Sequence, residues 1–292
     1  MDMDVSVIIP AFNEADIIGE VIAKVRSTMD DLKLSYEVLV IDDGSKDDTA
    51  EKARQAGAKV VSHPYNIGNG AAVKTGIRRA RGKILVMMDG DGQHNPEDIP
   101  RLLEKMENFD MAVGARTGES DAAIHRNLAN KLYNLLASYI CKMKIRDLTS
   151  GFRAMRKEIA LQFLSLLPNT FSYPTTITMA VLRSGYSLAY VPIKAGRRTG
   201  KSKIKLLRDG SRFFLIIVKI ATLFSPMRVF LPVSAVIFLT GLGYGVFKII
   251  FLDGRYGPTS ALLITMSVIV FMVGLVSEQV SQLHYDRNEK RD

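Results

Sequence analysis

The sequence predicts an α/β protein: a doubly wound, mostly parallel sheet, followed by an amphipathic helix lying on a membrane and two transmembrane helices. Three observations carry this. Short apolar runs alternate with helix-period segments from Val5 to Ile193, the pattern of parallel strands joined by crossover helices. Acidic or amide-bearing turns follow directly on three of those runs. From Ile204 onward the chain becomes apolar over stretches long enough to cross a bilayer.

Composition narrows the function classes. With 292 residues the chain has room for one large α/β domain and an appendage. A formal net charge of +9 admits nucleic acid, an anionic membrane surface or phosphate-bearing substrates. Nucleic acid is the weakest of these, since no block of Lys and Arg interleaved with aromatics occurs in the first 195 residues. Cys141 is the single cysteine, which excludes disulfide and Cys-zinc frameworks. The chain enters a strand almost at once, so no signal peptide is expected.

Val5 to Pro10 reads as the first strand, Ala11-Phe12-Asn13-Glu14 as a loop, and Ala15 to Met29 as a helix. Tyr36 to Ile41 is a second strand ending in Asp42-Asp43-Gly44-Ser45. Asp47 or Asp48 then caps the next helix. Lys59 to Ser62 is a short third strand, and Asn66 to Gly70 a loop before a helix from Ala71 to Arg81 that carries Lys74. Ile84 to Met88 is apolar throughout, as a strand buried on both faces should be. It breaks off at Asp89-Gly90-Asp91-Gly92-Gln93. Pro96 opens a further helix, where proline is tolerated. Met111 to Ala115 is a fifth strand ending at Arg116, and Leu188 to Ile193 is the last.

In an open α/β sheet, ligands sit in a crevice at strand carboxyl ends. Asn13-Glu14, Asp42-Asp43 and Asp89/Asp91 all follow such ends, so one crevice can collect them. Two carboxylates spaced by glycine suit a hard divalent cation such as Mg2+ or Mn2+, which would carry a nucleotide diphosphate. An acidic turn alone would explain any single pair, but three on one edge favour a site.

Pro10-Ala11-Phe12-Asn13-Glu14, the Asp42-Asp43-Gly44-Ser45-x-Asp47-x-Thr49 run and Asp89-x-Asp91-x-Gln93 resemble the inverting family-2 glycosyltransferases of GT-A fold, over roughly the first two-thirds of the chain. Within that family the chain is most similar to polyprenyl-phosphate (dolichyl-phosphate) sugar synthases. The resemblance implies that Pro10, Phe12 and Glu14 border the base and ribose. It has Asp42 hydrogen-bond the nucleobase with Asp43 nearby, and Gly70 and Lys74 close the nucleotide pocket. Asp89 would face the ribose and sugar, and Asp91 and Gln93 would bind the metal; Gln is a fitting neutral oxygen donor beside a carboxylate.

Arg116 and Arg126 bring guanidinium forks after the fifth strand, and such forks match phosphate oxygens. They are candidate catalytic ligands for a lipid phosphate. Asp147, Ser150 and Gly151 match the D-x-x-S-G-F-R pattern of the synthases, with Arg153 a further candidate for a phosphate. Arg197 to Lys203 matches their R-x-x-G-x-S-K loop, which implies that Arg197 and Lys203 close over the diphosphate. The same cations also fit a juxtamembrane basic patch.

Thr170 to Met179 is informative by absence. Relatives that glycosylate a sugar hydroxyl keep a general base near here, whereas this chain has no carboxylate between Glu158 and Asp209. A hydroxyl must lose its proton as it attacks; a phosphate is already an oxyanion. The gap favours a phosphate acceptor, with Asp147 left open as a base from elsewhere.

Ile204 to Leu223 has the period of an interfacial amphipathic helix. Val229 to Leu252 and Ser260 to Val276, extending to about Leu283, read as two spans with basic flanks, which places both flanks and the catalytic domain in the cytoplasm. The expected layout is therefore a catalytic domain over 1–203, an amphipathic segment over 204–226 and a hairpin over 227–292. The expected activity moves one sugar from a nucleotide diphosphate (UDP-glucose, UDP-N-acetylglucosamine or GDP-mannose) to a polyprenyl phosphate with inversion. The alternatives are a transferase that extends a lipid-linked or surface glycan at a sugar hydroxyl, and a non-catalytic nucleotide-binding membrane scaffold.

Overall fold

The computed structural model describes residues 3–117, 124–170, 172–194, 215, 217–219, 221–222, 225–252 and 255–289, and for 124–132 and 282–289 the backbone course alone. Its contacts divide it into two compact units, 1–214 and 215–292.

The first unit is built on a seven-stranded sheet. Its strands are β1 (Met3–Ala11), β2 (Tyr36–Asp42), β3 (Lys59–Ser62), β4 (Gly82–Met87), β5 (Met111–Arg116), β6 (Arg153–Arg156) and β7 (Leu188–Ile193), in the order β3-β2-β1-β4-β6-β5-β7. Between them run α1 (Ile18–Asp31), α2 (Thr49–Gln55), α3 (Asn69–Arg79), α4 (Ile99–Lys105), α5 (Ile124–Cys141), α6 (Lys157–Gln162) and α7 (Tyr173–Arg183). The runs Val-Ile-Ile of β1 and Val-Leu-Val-Ile of β2 are buried on both faces, as parallel strands covered by helices must be. β3 is short and partly exposed, which limits the edge it offers. Val5, Val7 and Ile9 pack with Ile18, Val21, Ile22 and Val25 of α1 in the main core.

The sheet is mixed rather than simply parallel. β1–β2, β1–β4, β2–β3 and β5–β7 pair in parallel, but β6 runs antiparallel between β4 and β5, with Met87 and Val113 both opposite Arg153. An antiparallel strand starts where its neighbours end. The segment leading into β6, Asp147 to Phe152, is thereby delivered to the carboxyl edge where the strand-end motifs gather. Chain order reverses between β1 and β4, the kind of switch point at which a crevice opens.

Helix boundaries shift by two or three residues from the sequence pattern at both ends of α1 (Ile18–Asp31) and of α3 (Asn69–Arg79). α1 starts at Ile18, not Ala15: the residues before it form a turn in which Ile17 N and Ile18 N both donate to Glu14 O, while the N–H groups of Glu14 and Ala15 are held by Thr49 Oγ1 (2.9 Å) and Asp47 Oδ2 (3.2 Å). α3 ends at Arg79, short of Arg81, whose N–H donates to the buried Glu37 Oε1 at 2.7 Å. Pro96 opens a 3-10 turn ahead of α4, with Asn95 accepting from Glu97 N.

The second unit contains α8 (Met227–Phe251) and α9 (Pro258–Glu289). Their apolar stretches of 25 and 24 residues have mean hydropathies of 1.9 and 2.3, long and apolar enough to cross a membrane. Close approach is set by glycine: a Cβ on Gly241 would lie 2.7 Å from Leu263 Cβ, and one on Gly274 2.6 Å from Phe230 Cβ. Glu278 Oε2 accepts from Met227 N at the start of α8, 3.3 Å away. Leu239, Ile250, Leu262 and Val276 are exposed, a surface suited to lipid. Most of the expected amphipathic helix, 204–214, and the turn residues Asp253 and Gly254 lie outside the described residues.

Candidate active site

The first two motifs build one wall together. Asn13 is held at φ 55, with its N–H on Ser45 Oγ (2.9 Å) and its side-chain oxygen accepting from Lys46 N (2.8 Å). Asp47 accepts from Thr49 N at 3.1 Å while also holding Ala15 N. The N-cap of α2 is Asp48, which makes no side-chain cap bond. Asp47, one residue earlier, instead ties the first helical N–H to the neighbouring loop, and Ser45, Asp47 and Thr49 have their spacing because each receives a backbone group from that loop or from the helix start. Burial opposes ionisation of Asp47, but these hydrogen bonds outweigh it and hold the carboxyl below the usual range.

Asp42 and Asp43 part company. Asp42 is buried and accepts from Ser45 N at 3.1 Å. Asp43 reaches forward: it accepts from Ile67 N (3.0 Å) and Gly68 N (2.8 Å), and its Oδ1 lies 2.7 Å from His63 Nδ1. His63 Nε2 meets Thr75 Oγ1 at 2.9 Å. Asp43 therefore fixes the 66–68 loop, and Gly68, at φ 124, passes so close to Asn169 O that a Cβ would lie 2.2 Å from it.

A cavity of about 330 Å3 opens where these walls meet the end of β4. Pro10, Phe12, Glu14, Asp43, Asp89, Asp91, Gln93 and Arg116 all line it. Asp42, Gly70 and Lys74 do not. Gly70 lies beneath, its N–H on Asn169 O, where a Cβ would be 2.1 Å from Pro168 O. Lys74 is half-buried on α3, and burial, followed by Arg78, lowers its pKa. The side chain of Arg126 and all of Arg197 and Lys203 lie outside the described residues. The cavity also takes in Asn66, Asn69, Thr149, Gly151 and Tyr173, to which no role was assigned. Thr149 could have been found inside the D-x-x-S-G-F-R stretch; Tyr173 offered no local signal.

Asp89 rests against the turn before β6: a Cβ on Gly151 would meet its Oδ2 at 2.7 Å. Its N–H donates to His94 Nδ1 at 3.3 Å, and the His94 ring stacks on Phe152 with centroids 5.1 Å apart. Burial pushes the His94 pKa down against the pull of Asp89 and Asp91, so a neutral ring accepts that bond. Asp91 Oδ1 accepts from Gln93 N at 3.2 Å.

On the far wall Arg116 is clamped by Asp147. Nε donates to Oδ2 at 2.7 Å and Nη2 to Oδ1 at 2.9 Å, with Nη2 also donating to Thr149 Oγ1 at 2.7 Å. Burial works against the Asp147 charge, but the Arg116 hydrogen bonds and charge, with backbone N–H donors, hold its carboxyl below the usual range. A carboxylate so engaged is a poor general base. Arg153, expected to meet a phosphate, is instead completely buried and does not line the cavity.

The donor chemistry fits a hard cation. Asp89, Asp91 and Gln93 line the cavity and carry oxygen donors of the kind Mg2+ and Mn2+ prefer. Among the described residues no three of His, Cys, Asp or Glu converge on a metal position, so substrate oxygens would complete the shell, the usual arrangement for Mg2+ on phosphates. A larger hollow, about 910 Å3, opens at the opposite edge of the sheet between cations such as Arg81 and Lys83 and acids such as Glu104 and Glu107. No strand-end motif reaches it.

Comparison with known proteins agrees with this geometry. Residues 6–163 match the family described as Glycosyl transferase family 2, and residues 225–283 match the GtrB C-terminal hairpin. The chain is 28% identical over 300 residues to the undecaprenyl-phosphate 4-deoxy-4-formamido-L-arabinose transferase of Klebsiella pneumoniae, covering 97% of this chain and 89% of that one. It is 36% identical over 217 residues to the dolichol-phosphate mannosyltransferase of Pyrococcus furiosus, covering 70% and 60%. Among solved structures, glucosyl-3-phosphoglycerate synthase from Mycobacterium tuberculosis in complex with Mn2+, UDP and phosphoglyceric acid superposes with a TM-score of 0.62 at 22% identity, covering 75% and 78%. At that identity the likeness is one of fold.

Proposed function

Because the chain belongs to glycosyl transferase family 2 and is a glycosyltransferase, we propose that it transfers one sugar from a nucleotide diphosphate to a polyprenyl phosphate, with inversion. A phosphate oxygen of the lipid attacks the anomeric carbon. The bond from that carbon to the diphosphate breaks, and the diphosphate leaves with the electron pair. No proton has to be removed from the nucleophile, so no base is required.

The observation that carries this reading is the Arg116–Asp147 pair. It sets a cation into the cavity wall and occupies the carboxylate that was the candidate base. α7, where a base would stand in a hydroxyl-accepting relative, brings Tyr173 and Pro174 to the cavity and carries no carboxylate. The names of the Klebsiella and Pyrococcus relatives point to the same class of acceptor.

Within this reading Pro10, Phe12, Glu14 and Asp43 border the nucleoside, and Asp89 faces the sugar. Arg116 and Arg126 take the lipid phosphate, and Arg197 and Lys203 close over the diphosphate. Asp91 and Gln93 would hold Mg2+ or Mn2+, which when bound neutralises charge on the departing diphosphate. The protein's share is positioning and exclusion of water. Residues 204–226 and the α8–α9 hairpin keep the catalytic domain at the cytoplasmic face of the membrane, beside the lipid headgroup.

The test is purified full-length protein with Mn2+ or Mg2+, a panel of UDP- and GDP-sugars, and polyprenyl phosphate or the matching free polyprenol. Transfer to the phosphate and little to the alcohol is the expected result. An alcohol, or a lipid-linked sugar, that serves as well as the phosphate would overturn the reading.

A further inference from the structure

Arg153 is buried to 0% exposure, and its acceptors among the described residues are uncharged. Nη1 donates to Pro174 O and Thr178 Oγ1, each at 3.2 Å, and Nη2 donates to Ser150 O. Its Nε has no hydrogen-bond partner among the described residues. The Tyr173 ring lies 5.8 Å from Cζ, close enough for a cation–π contact. Burial pulls its pKa down; the charges of Asp147 and Asp89 are among those that oppose this. An apolar side chain of the same volume is often the more stable choice for such a position. Stability therefore gives no reason for an arginine here.

Geometry does. The guanidinium joins two pieces of backbone that meet beneath the cavity. One is the 147–151 turn, whose Asp147 clamps Arg116 and whose Gly151 supports the Asp89 carboxylate. The other is the start of α7, which brings Tyr173 to the cavity. Only a planar, multi-donor cation spans both while leaving positive charge under two carboxylates.

We propose that Arg153 is a positioning residue for sugar transfer: a sealed guanidinium that fixes the 147–151 turn against α7 and so sets Asp89 and Arg116 at their working separation. It touches neither nucleotide nor acceptor, so its effect belongs in turnover rather than in nucleotide affinity. The inference rests on the transfer reaction proposed above.

The experiment compares Arg153→Lys, Arg153→Met and Thr178→Val in the full-length protein. Thr178→Val keeps the guanidinium and the local shape but removes one acceptor, and so still decides the matter if the Arg153 variants fail to fold. The readouts are kcat, KM for the donor, and Kd for UDP and for GDP in the presence of Mn2+. Turnover is read both as transfer to polyprenyl phosphate and as donor hydrolysis. Wild-type transfer tests the acceptor reading, and the variant-to-wild-type ratio tests this one. The expected result is a kcat lowered about tenfold or more in Arg153→Met, less in Arg153→Lys, and about threefold in Thr178→Val, with Kd for the nucleotide within about threefold of wild type throughout. Unchanged kcat in Thr178→Val, or nucleotide affinity falling in step with kcat, would overturn the proposal.

Discussion

Arg116 and Asp147, one closing a parallel strand and the other in the turn that enters the antiparallel one, face each other through two parallel hydrogen bonds of 2.7 and 2.9 Å. The pair fixes a guanidinium in the cavity wall and removes a carboxylate from base chemistry. Asp147→Asn keeps the shape and loses the charge, so Arg116 should lose its orientation. Transfer is expected to fall by roughly one to two orders of magnitude, the range for losing a charge-assisted contact. Steady-state kinetics on polyprenyl phosphate checks this.

The same pair sets a pH dependence of stability. The Asp147 carboxyl is held below its usual 3.8 in the folded protein. Its contribution is therefore complete above that value and is lost as pH falls through the lower folded-state value. Thermal unfolding from pH 7 down to about pH 2, through the range below 3.8, should show a steeper acid loss in wild type than in Asp147→Asn. Equal acid limbs would mean that the pair contributes nothing.

Asp91→Ala should abolish measurable transfer, whereas Gln93→Ala should raise the Mn2+ requirement while leaving turnover at saturating metal within about tenfold. Of the two, only Asp91 brings charge to a hard cation. A Mn2+ titration of each variant, with a chelator control, separates them. Full activity in the chelator would remove the metal from the reaction.

Gly151→Ala places a methyl 2.7 Å from Asp89 Oδ2. The obstructed atom ends a side chain, so the carboxylate moves while the backbone stays. The expectation is a fall in turnover of about tenfold to a hundredfold with little change in unfolding temperature. A large loss of stability with normal activity per folded molecule would contradict it.

Asp47→Ala removes the acceptor shared by Thr49 N and Ala15 N. Losing such a side-chain acceptor for backbone N–H groups costs about 1 kcal/mol, so denaturant unfolding should shift by that amount. The Phe12–Glu14 loop loses its tie as well, so KM for the nucleotide sugar should rise more than kcat falls.

The sequence by itself determined the sheet and the edge that matters. Apolar runs such as Val-Leu-Val-Ile identify strands buried on both faces because no other short element hides every side chain. The acids behind those runs then fall at the carboxyl edge by chain direction alone. Helical length and apolarity likewise identified the two long C-terminal helices. Tertiary structure decided what lies side by side. β6 is four residues, Arg-Ala-Met-Arg, running straight into α6, too short and too charged at its ends to carry a period. Its antiparallel course follows from its neighbours and is what delivers Asp147, Thr149 and Gly151 to the site. Asp42 and Asp43 are indistinguishable as letters, yet one turns back to Ser45 and the other forward to the 66–68 loop. Arg153 reads as a ligand and is sealed inside. Local pattern sets which residues form an element and which way it runs; the partner of a polar side chain is contributed by chain tens of residues away, and only packing selects it.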